Sequence, residues 1–313
     1  MVKDEVPTLH LPDFQKDKEA FVRNLKEAYR SFGFCSFVGH ELNQDTVDNA
    51  YKAARDFFAL PENTKKSYHN KELSGKRGYV PFKVETAKDA AHPDLKEFWH
   101  TGRENRPDVY KDYMAENIWP SEVPHFKPAF LNLYNALDAL GQDILRPMSL
   151  ALGLDENYFQ AATSSGNSIL RALHYPPVNE ESGPCIRAQA HEDAGLITLL
   201  IAAEGAGLQL LTRKGQWLPV SPPKGAVIVN VGDMMQRITN NFFPSTTHRV
   251  VNPVGDLAKV SRYSLPFFMD PNPDFLLKTL PTCASDETPN LYPDDILAND
   301  FLMKRLKEIK VSQ

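Results

Sequence analysis

A chain of 313 residues, 42% hydrophobic and 24% charged, has the composition of an ordinary globular protein able to bury a substantial core. A net charge of −5 and a pI near 6.0 exclude the strongly basic character of a nucleic-acid binder, and the basic pairs Lys65-Lys66 and Lys304-Arg305 are interrupted by acids. No apolar run approaches the roughly 20 residues that span a membrane, the opening Met1 to Pro7 has no apolar signal core, and Cys35, Cys185 and Cys283 are widely spaced without a CxxC. The expectation is a cytoplasmic protein in a reducing compartment, with no membrane or nucleic-acid partner, no disulfide framework and no structural zinc.

In chain order, Pro7 to Leu11 alternates and predicts an edge strand. Phe21, Leu25, Ala28, Tyr29 and Phe32 recur at helical spacing, and Gly33 ends that helix. Phe34–Val38 reads as a buried strand. Asp45 is expected to cap a second helix carrying Val47, Tyr51, Ala54, Phe57 and Phe58, ended at Leu60-Pro61. Residues 62–120 are polar and rich in Gly and Pro, which predicts loops with short strands. A long core-facing helix is expected from Pro124 to Leu152, kinked at Pro147 and closed by Gly153.

Beyond about residue 168 the period changes to that of short strands. Candidates are Ile169–Tyr175, Leu196–Ala202, Leu208–Thr212, Gln216–Val220, Ala226–Val231, His248–Asn252 and Arg262–Met269, with a hairpin turn at Lys214-Gly215. Many short strands at this spacing indicate a sandwich or barrel, and a jelly roll is the form most often built around a metal. Asp294 to Lys310 predicts a last helix. The chain is therefore expected to be mainly β with flanking helices. Its parts are an N-terminal region (1–120), a long helix packed on the core (121–160), a jelly-roll core (165–275) and a C-terminal loop and helix (276–313), all in one unit.

Three side chains carry the chemistry. His191 and Asp193 precede the apolar run Gly195–Ile201, and His248 follows 55 positions after the aspartate. Positions i and i+2 of a strand share a face, so His191 and Asp193 can reach one ion while Glu192 points away. Two imidazoles and a carboxylate occupying one face of a metal leave the other open to O2 and a substrate, as in non-haem Fe(II) oxygenases. Zinc takes the same ligands in hydrolases, but HExxH is absent. His10, His40, His69, His92, His100 and His125 are assigned ordinary structural roles. Arg262 and Ser264 again share a face of an otherwise apolar strand, where a buried guanidinium requires an anion such as a carboxylate.

Taken together and in order, these residues resemble the isopenicillin N synthase-like branch of the 2-oxoglutarate- and Fe(II)-dependent oxygenases. Further matching segments are Pro7–Phe14, Gly33–His40, Phe57–Pro61, Arg77-Gly78-Tyr79, Asp94–Glu97, Tyr175-Pro176-Pro177, Gly207-Leu208-Gln209, Asn230–Asp233 and Thr239-Asn240. The resemblance implies a double-stranded β-helix with Fe(II) held by His191, Asp193 and His248. It implies that Arg262 and Ser264 hold the distal carboxylate of 2-oxoglutarate, with Tyr175 as a further contact, and that no catalytic residue is needed beyond the metal centre. It implies O2 as oxidant, with succinate and CO2 formed while a small-molecule substrate is hydroxylated, desaturated or cyclised. Leu173 stands where many plant members carry an asparagine, and the 14 positions from His248 to Arg262 exceed their spacing. Asp193 argues against a halogenase.

Substrate-pocket candidates are Arg171, His174, Arg187, Gln189, Met235 and Phe268, with Tyr79, Phe98 and the C-terminal residues as a lid. The alternatives are an Fe(II) oxidase of this fold that uses no 2-oxoglutarate, a jelly-roll binding protein that has lost catalysis and, more distantly, a zinc hydrolase.

Overall fold

In the computed structural model, which describes residues 5–73, 75–88, 90–178, 183–201, 207–308 and 310–311, the helical first half forms a layer against one face of a large sheet. β1 (Thr8–His10) runs parallel to β2 (Phe34–Val38). Between them lie α1 (Asp13–Lys16) and α2 (Lys18–Phe32), the latter ended by Gly33 at φ 64°, where a side chain would be strained. α3 spans Gln44–Phe58. Its cap is Asn43, whose side-chain oxygen accepts from the Asp45 and Thr46 N–H groups, and the expected cap Asp45 stands inside the first turn. α4 (Glu62–Ser67) stands where loops are expected, because six mostly polar residues carry no readable apolar period.

The strands β3 (Gly78–Val80), β4 (Glu85–Thr86) and β5 (Glu97–Gly102) follow. α5 (Phe126–Ala151) passes through Pro147 without ending, and α6 (Tyr158–Thr163) leads to the strands. These are β6 (Ile169–Tyr175), β7 (Ala188–His191), β8 (Ile197–Ile201), β9 (Leu208–Leu211), β10 (Trp217–Pro219) and β11 (Val227–Val231). A short helix, α7 (Asp233–Ile238), follows β11, and β12 (His248–Val250), β13 (Arg262–Ser264) and β14 (Pro266–Met269) complete the core. The tail holds β15 (Leu276–Leu277), β16 (Ile296–Leu297), α8 (Ala298–Glu308) and β17 (Lys310–Val311), which pairs with β4. The tail helix is thus shorter than Asp294–Lys310. Ile309 within that range, Ala202 at the end of the expected Leu196–Ala202 strand, Met1–Asp4, Ser74 and Asp89 lie outside the described residues.

The large sheet has the order β1-β2-β11-β8-β14-β6-β5-β3, with β13 also on β6, and the small sheet has the order β10-β9-β12-β7. From β6 to β14 the chain crosses repeatedly between the two sheets, which is jelly-roll connectivity. Alternation along the strands sorts the side chains into two layers. Trp99, Leu170, Ala172, Leu199, Val227, Val229, Phe267 and Met269 pack with the helices in the main core. Phe34, Ile228, Ala188, Leu208, Leu210 and Val250 fill a second, smaller core between the sheets. Among the described residues no helix is long and apolar enough to cross a membrane.

Candidate active site

The inter-sheet space turns polar at one end. His191 closes β7 and His248 opens β12, and the two are direct cross-strand partners. The register between β7 and β12 is irregular: His248 opposes His191, but Val250 opposes Ala188. This bulge-like slip lets Ala188 join the inner core while His191, three positions later, also turns inward. Asp193 follows the end of β7, and its backbone C=O accepts the Asp233 N–H at 2.7 Å. A side chain at Gly232 would run into the Gly195 and Asp193 carbonyls, so only glycine allows this turn to seat against the Asp193 turn.

One ligand atom from each of His191, Asp193 and His248 lies within 4.8 Å of the others. Both imidazoles are oriented by their second nitrogen. Nδ1 of His191 donates to the Gln189 carbonyl at 2.7 Å, and Nδ1 of His248 donates to the Thr246 carbonyl at 3.1 Å. A carbonyl only accepts, so each Nε2 lone pair is left for a metal. Burial, and then the neighbouring His248, push His191 down to about 4, so its ring is neutral near pH 7. Burial alone would raise Asp193, but His248, His191 and hydrogen bonds from Thr198 and Asn230 outweigh it and hold the carboxyl below its usual range. Those two hydrogen bonds, at 2.6 and 2.7 Å, both land on Oδ2. Glu192 points away, as expected, and accepts from the Thr247 hydroxyl. Two imidazoles and one carboxylate suit a divalent ion of the iron type.

Thr198 and Asn230 carry no signal of this role in the sequence, although Asn230 stands in a matching segment. Replacing Asn230 by Leu is expected to weaken divalent-metal binding by about 10- to 100-fold. A metal titration that gives the wild-type affinity would remove Asn230 from this role.

A second group lies on the large sheet. On β13, Arg262 opposes Tyr175 and Ser264 opposes Leu173, and all four are buried. The Arg262 guanidinium carbon stands 5.1 Å from the Tyr175 ring centre, and its Nε and Nη1 have no hydrogen-bond partner among the described residues. Arg187 lies against the same ring at 5.9 Å. Arg171 faces inward between Phe98 and Phe268, with its guanidinium carbon 4.4 and 5.1 Å from their ring centres. Arg171 Nε donates to His100 Nε2 at 2.5 Å while His100 Nδ1 donates to the Gly75 carbonyl, so His100 is a neutral acceptor for Arg171.

Other expected residues are not brought here. His174 lies on the opposite face of β6, stacked on Tyr263 and hydrogen-bonded to Glu97 and Ser261, because Leu173 and Tyr175 take the inner face. Tyr79 also faces the helices and bonds Glu97, and Met235 is buried in the main core.

Asp270 is buried near Gly195, and burial, then the charge of Asp193, raise its carboxyl to about 7. A raised carboxyl favours the protonated folded state. This stability is fully present below the ordinary value near 3.8 and is lost as pH rises through about 7. The metal-free Asp270→Asn protein should therefore melt higher than wild type, by a margin that widens from pH 5 to pH 7 and then levels. A margin independent of pH would contradict this.

Residues 6–122 match the family described as non-haem dioxygenase in morphine synthesis N-terminal, and residues 166–271 match the 2OG-Fe(II) oxygenase superfamily. The "2-oxoglutarate-Fe(II) type oxidoreductase hxnY" of Emericella nidulans is 35% identical, the match covering 88% of this chain and 81% of that protein. A solved structure of a protein assigned to the 2OG-Fe(II) oxygenase family from Caulobacter crescentus superposes with TM-score 0.89 at 45% identity, over 96% of this chain and 98% of its own. A full-length Neurospora crassa protein solved in complex with alpha-KG superposes with TM-score 0.86 at 27% identity, over 98% of this chain and 97% of its own.

Proposed function

The chain belongs to the 2-oxoglutarate- and Fe(II)-dependent oxygenases, and we propose that His191, Asp193 and His248 hold its iron while Arg262, Ser264 and Tyr175 seat the distal carboxylate of 2-oxoglutarate. The enzyme uses Fe(II), 2-oxoglutarate and O2. The observation that carries the residue assignment is the pairing of two unlike sites, one on each of the two sheets. One is a metal-ready triad; the other is a buried guanidinium with two donors that meet no acceptor among the described residues. An unpaired buried cation is costly, so the fold is built for an anion that arrives later.

Bound iron supplies the activation of O2 that oxidises the cosubstrate and a substrate C–H bond. The chain's own residues do the rest. Gln189 and Thr246 carbonyls fix the histidine tautomers, Thr198 and Asn230 aim the carboxylate, and Arg262 with Ser264 orients the keto acid. Arg171, Gln189 and Phe268, with Phe98 and His100, form the wall for a small-molecule substrate. A guanidinium held between two aromatic rings suits a flat molecule with a hydrogen-bond acceptor at its edge. The Neurospora protein has been solved with thymine, a molecule of that kind, which makes thymine a sensible first probe.

The test is a screen of such compounds in the presence of Fe(II), 2-oxoglutarate and 18O2. Succinate formed in step with a product carrying one labelled oxygen supports hydroxylation. Substrate-stimulated succinate with an unlabelled product two hydrogens lighter replaces hydroxylation by desaturation or ring closure.

A further inference from the structure

A second buried arginine lies against Tyr175. Arg187 is 3% exposed and Arg262 is 5% exposed. Among the described residues, Arg187 Nε has no hydrogen-bond partner, and its Nη2 reaches only the Val260 carbonyl, at 3.3 Å. Neither arginine forms an ion pair with a carboxylate among the described residues, although other buried cations nearby do. Lys96 is held by Asp94 at 2.7 Å and Glu85 at 2.8 Å, and Arg171 has Glu85 at 3.6 Å. Both arginines lie by one ring, Tyr175, with guanidinium carbons 5.1 Å (Arg262) and 5.9 Å (Arg187) from its centre. Like charges repel: after burial itself, Arg262 is the main influence that lowers Arg187, to about 10. Two buried cations beside one ring, with no carboxylate partner among the described residues, are a costly arrangement that one carboxylate would relieve.

We propose that Arg187 and Arg262 form a two-guanidinium clamp on the distal carboxylate of the keto-acid cosubstrate, making Arg187 a determinant of selectivity for dicarboxylic keto acids. The proposal rests on the assignment of Arg262 to that carboxylate and extends it. It moves Arg187 from the substrate wall, where the sequence places it, to the cosubstrate. The pocket chemistry agrees: Lys96 and Arg171 are already neutralised by Asp94 and Glu85, whereas the clamp pair has a charge to spare for an anion.

The test needs no knowledge of the primary substrate. Fe(II)-loaded protein is titrated anaerobically with 2-oxoglutarate, and separately with 2-oxobutyrate, which lacks the distal carboxylate. The visible absorbance of the keto-acid chelate is followed in wild type, Arg187→Met, Arg187→Lys and Arg262→Met. Arg187→Met is expected to raise the Kd for 2-oxoglutarate about tenfold or more, the scale of a charged hydrogen bond, and to leave 2-oxobutyrate unchanged. Arg187→Lys, which keeps the charge without the fork, should fall between, and it carries the test should the methionine variant unfold.

Wild-type affinity for 2-oxoglutarate in both Arg187 variants would overturn the clamp and return Arg187 to the substrate. Equal weakening toward both keto acids would also overturn it, by showing a structural role. A different pattern marks failure of the underlying assignment: Arg262→Met leaves 2-oxoglutarate binding untouched, or wild type does not distinguish the two acids.

Discussion

Replacing Asp193 by Ala is expected to abolish stoichiometric Fe(II) binding and, with it, 2-oxoglutarate turnover. The carboxylate is the only anionic member of the triad, and it is the acceptor for both Thr198 and Asn230. Losing an outer partner of a metal ligand costs about 10- to 100-fold in affinity, so losing the ligand itself should exceed about 100-fold. The fold should survive. The orphaned Thr198 and Asn230 donors cost about 1–3 kcal/mol each if they remain dry. Against that, the buried Asp270 loses a repulsive neighbour. Iron analysis after gel filtration, with circular dichroism as the control for folding, reads the result. A folded variant that retains one iron per chain would refute the site.

The second large effect is at Arg262. Arg262→Met should raise the Kd for 2-oxoglutarate by about 10- to 100-fold, given about 1.5–3 kcal/mol for hydrogen bonds to a charged group. Iron content should not change, because Arg262 is no part of the triad. The metal-free, cosubstrate-free variant should be no less stable than wild type, since it removes a buried cation with two nitrogens unpartnered among the described residues and keeps most of its volume. That pair of outcomes separates a binding role from a structural one. If Arg262 were a structural ion-pair member, melting temperature would fall and 2-oxoglutarate affinity would follow it only incidentally.

Much of this site is legible in the sequence because its parts are local. His191 with Asp193, and Arg262 with Ser264, are each two apart, and strand geometry puts such pairs on one face without any knowledge of the fold. Gly33 and the Lys214-Gly215 turn are equally readable, since a left-handed residue demands glycine. Period two, however, says which residues share a face and not which face looks at the metal. His174 and Tyr175 are neighbours on β6, yet only Tyr175 meets Arg262; the cross-strand register decides that. The slip between β7 and β12, which turns His191 inward beside Ala188, comes from pairing with a strand far along the chain and leaves no local trace. For the same reason His100 and Arg187 acquire their meaning from partners distant in the chain, Arg171 for one and Arg262 for the other. Asn43 displaces Asp45 as the cap because both residue types cap well and only the backbone turn chooses between them.

The most direct measurement is the anaerobic addition of 2-oxoglutarate to the Fe(II)-loaded wild-type protein, watching for the visible charge-transfer absorbance of a keto acid chelated to iron. The account predicts that the band appears at one equivalent of iron and is absent from Asp193→Ala under the same conditions. Iron that binds stoichiometrically to His191, Asp193 and His248 but gives no band with 2-oxoglutarate would contradict it, and would leave the buried arginines to a substrate carboxylate instead.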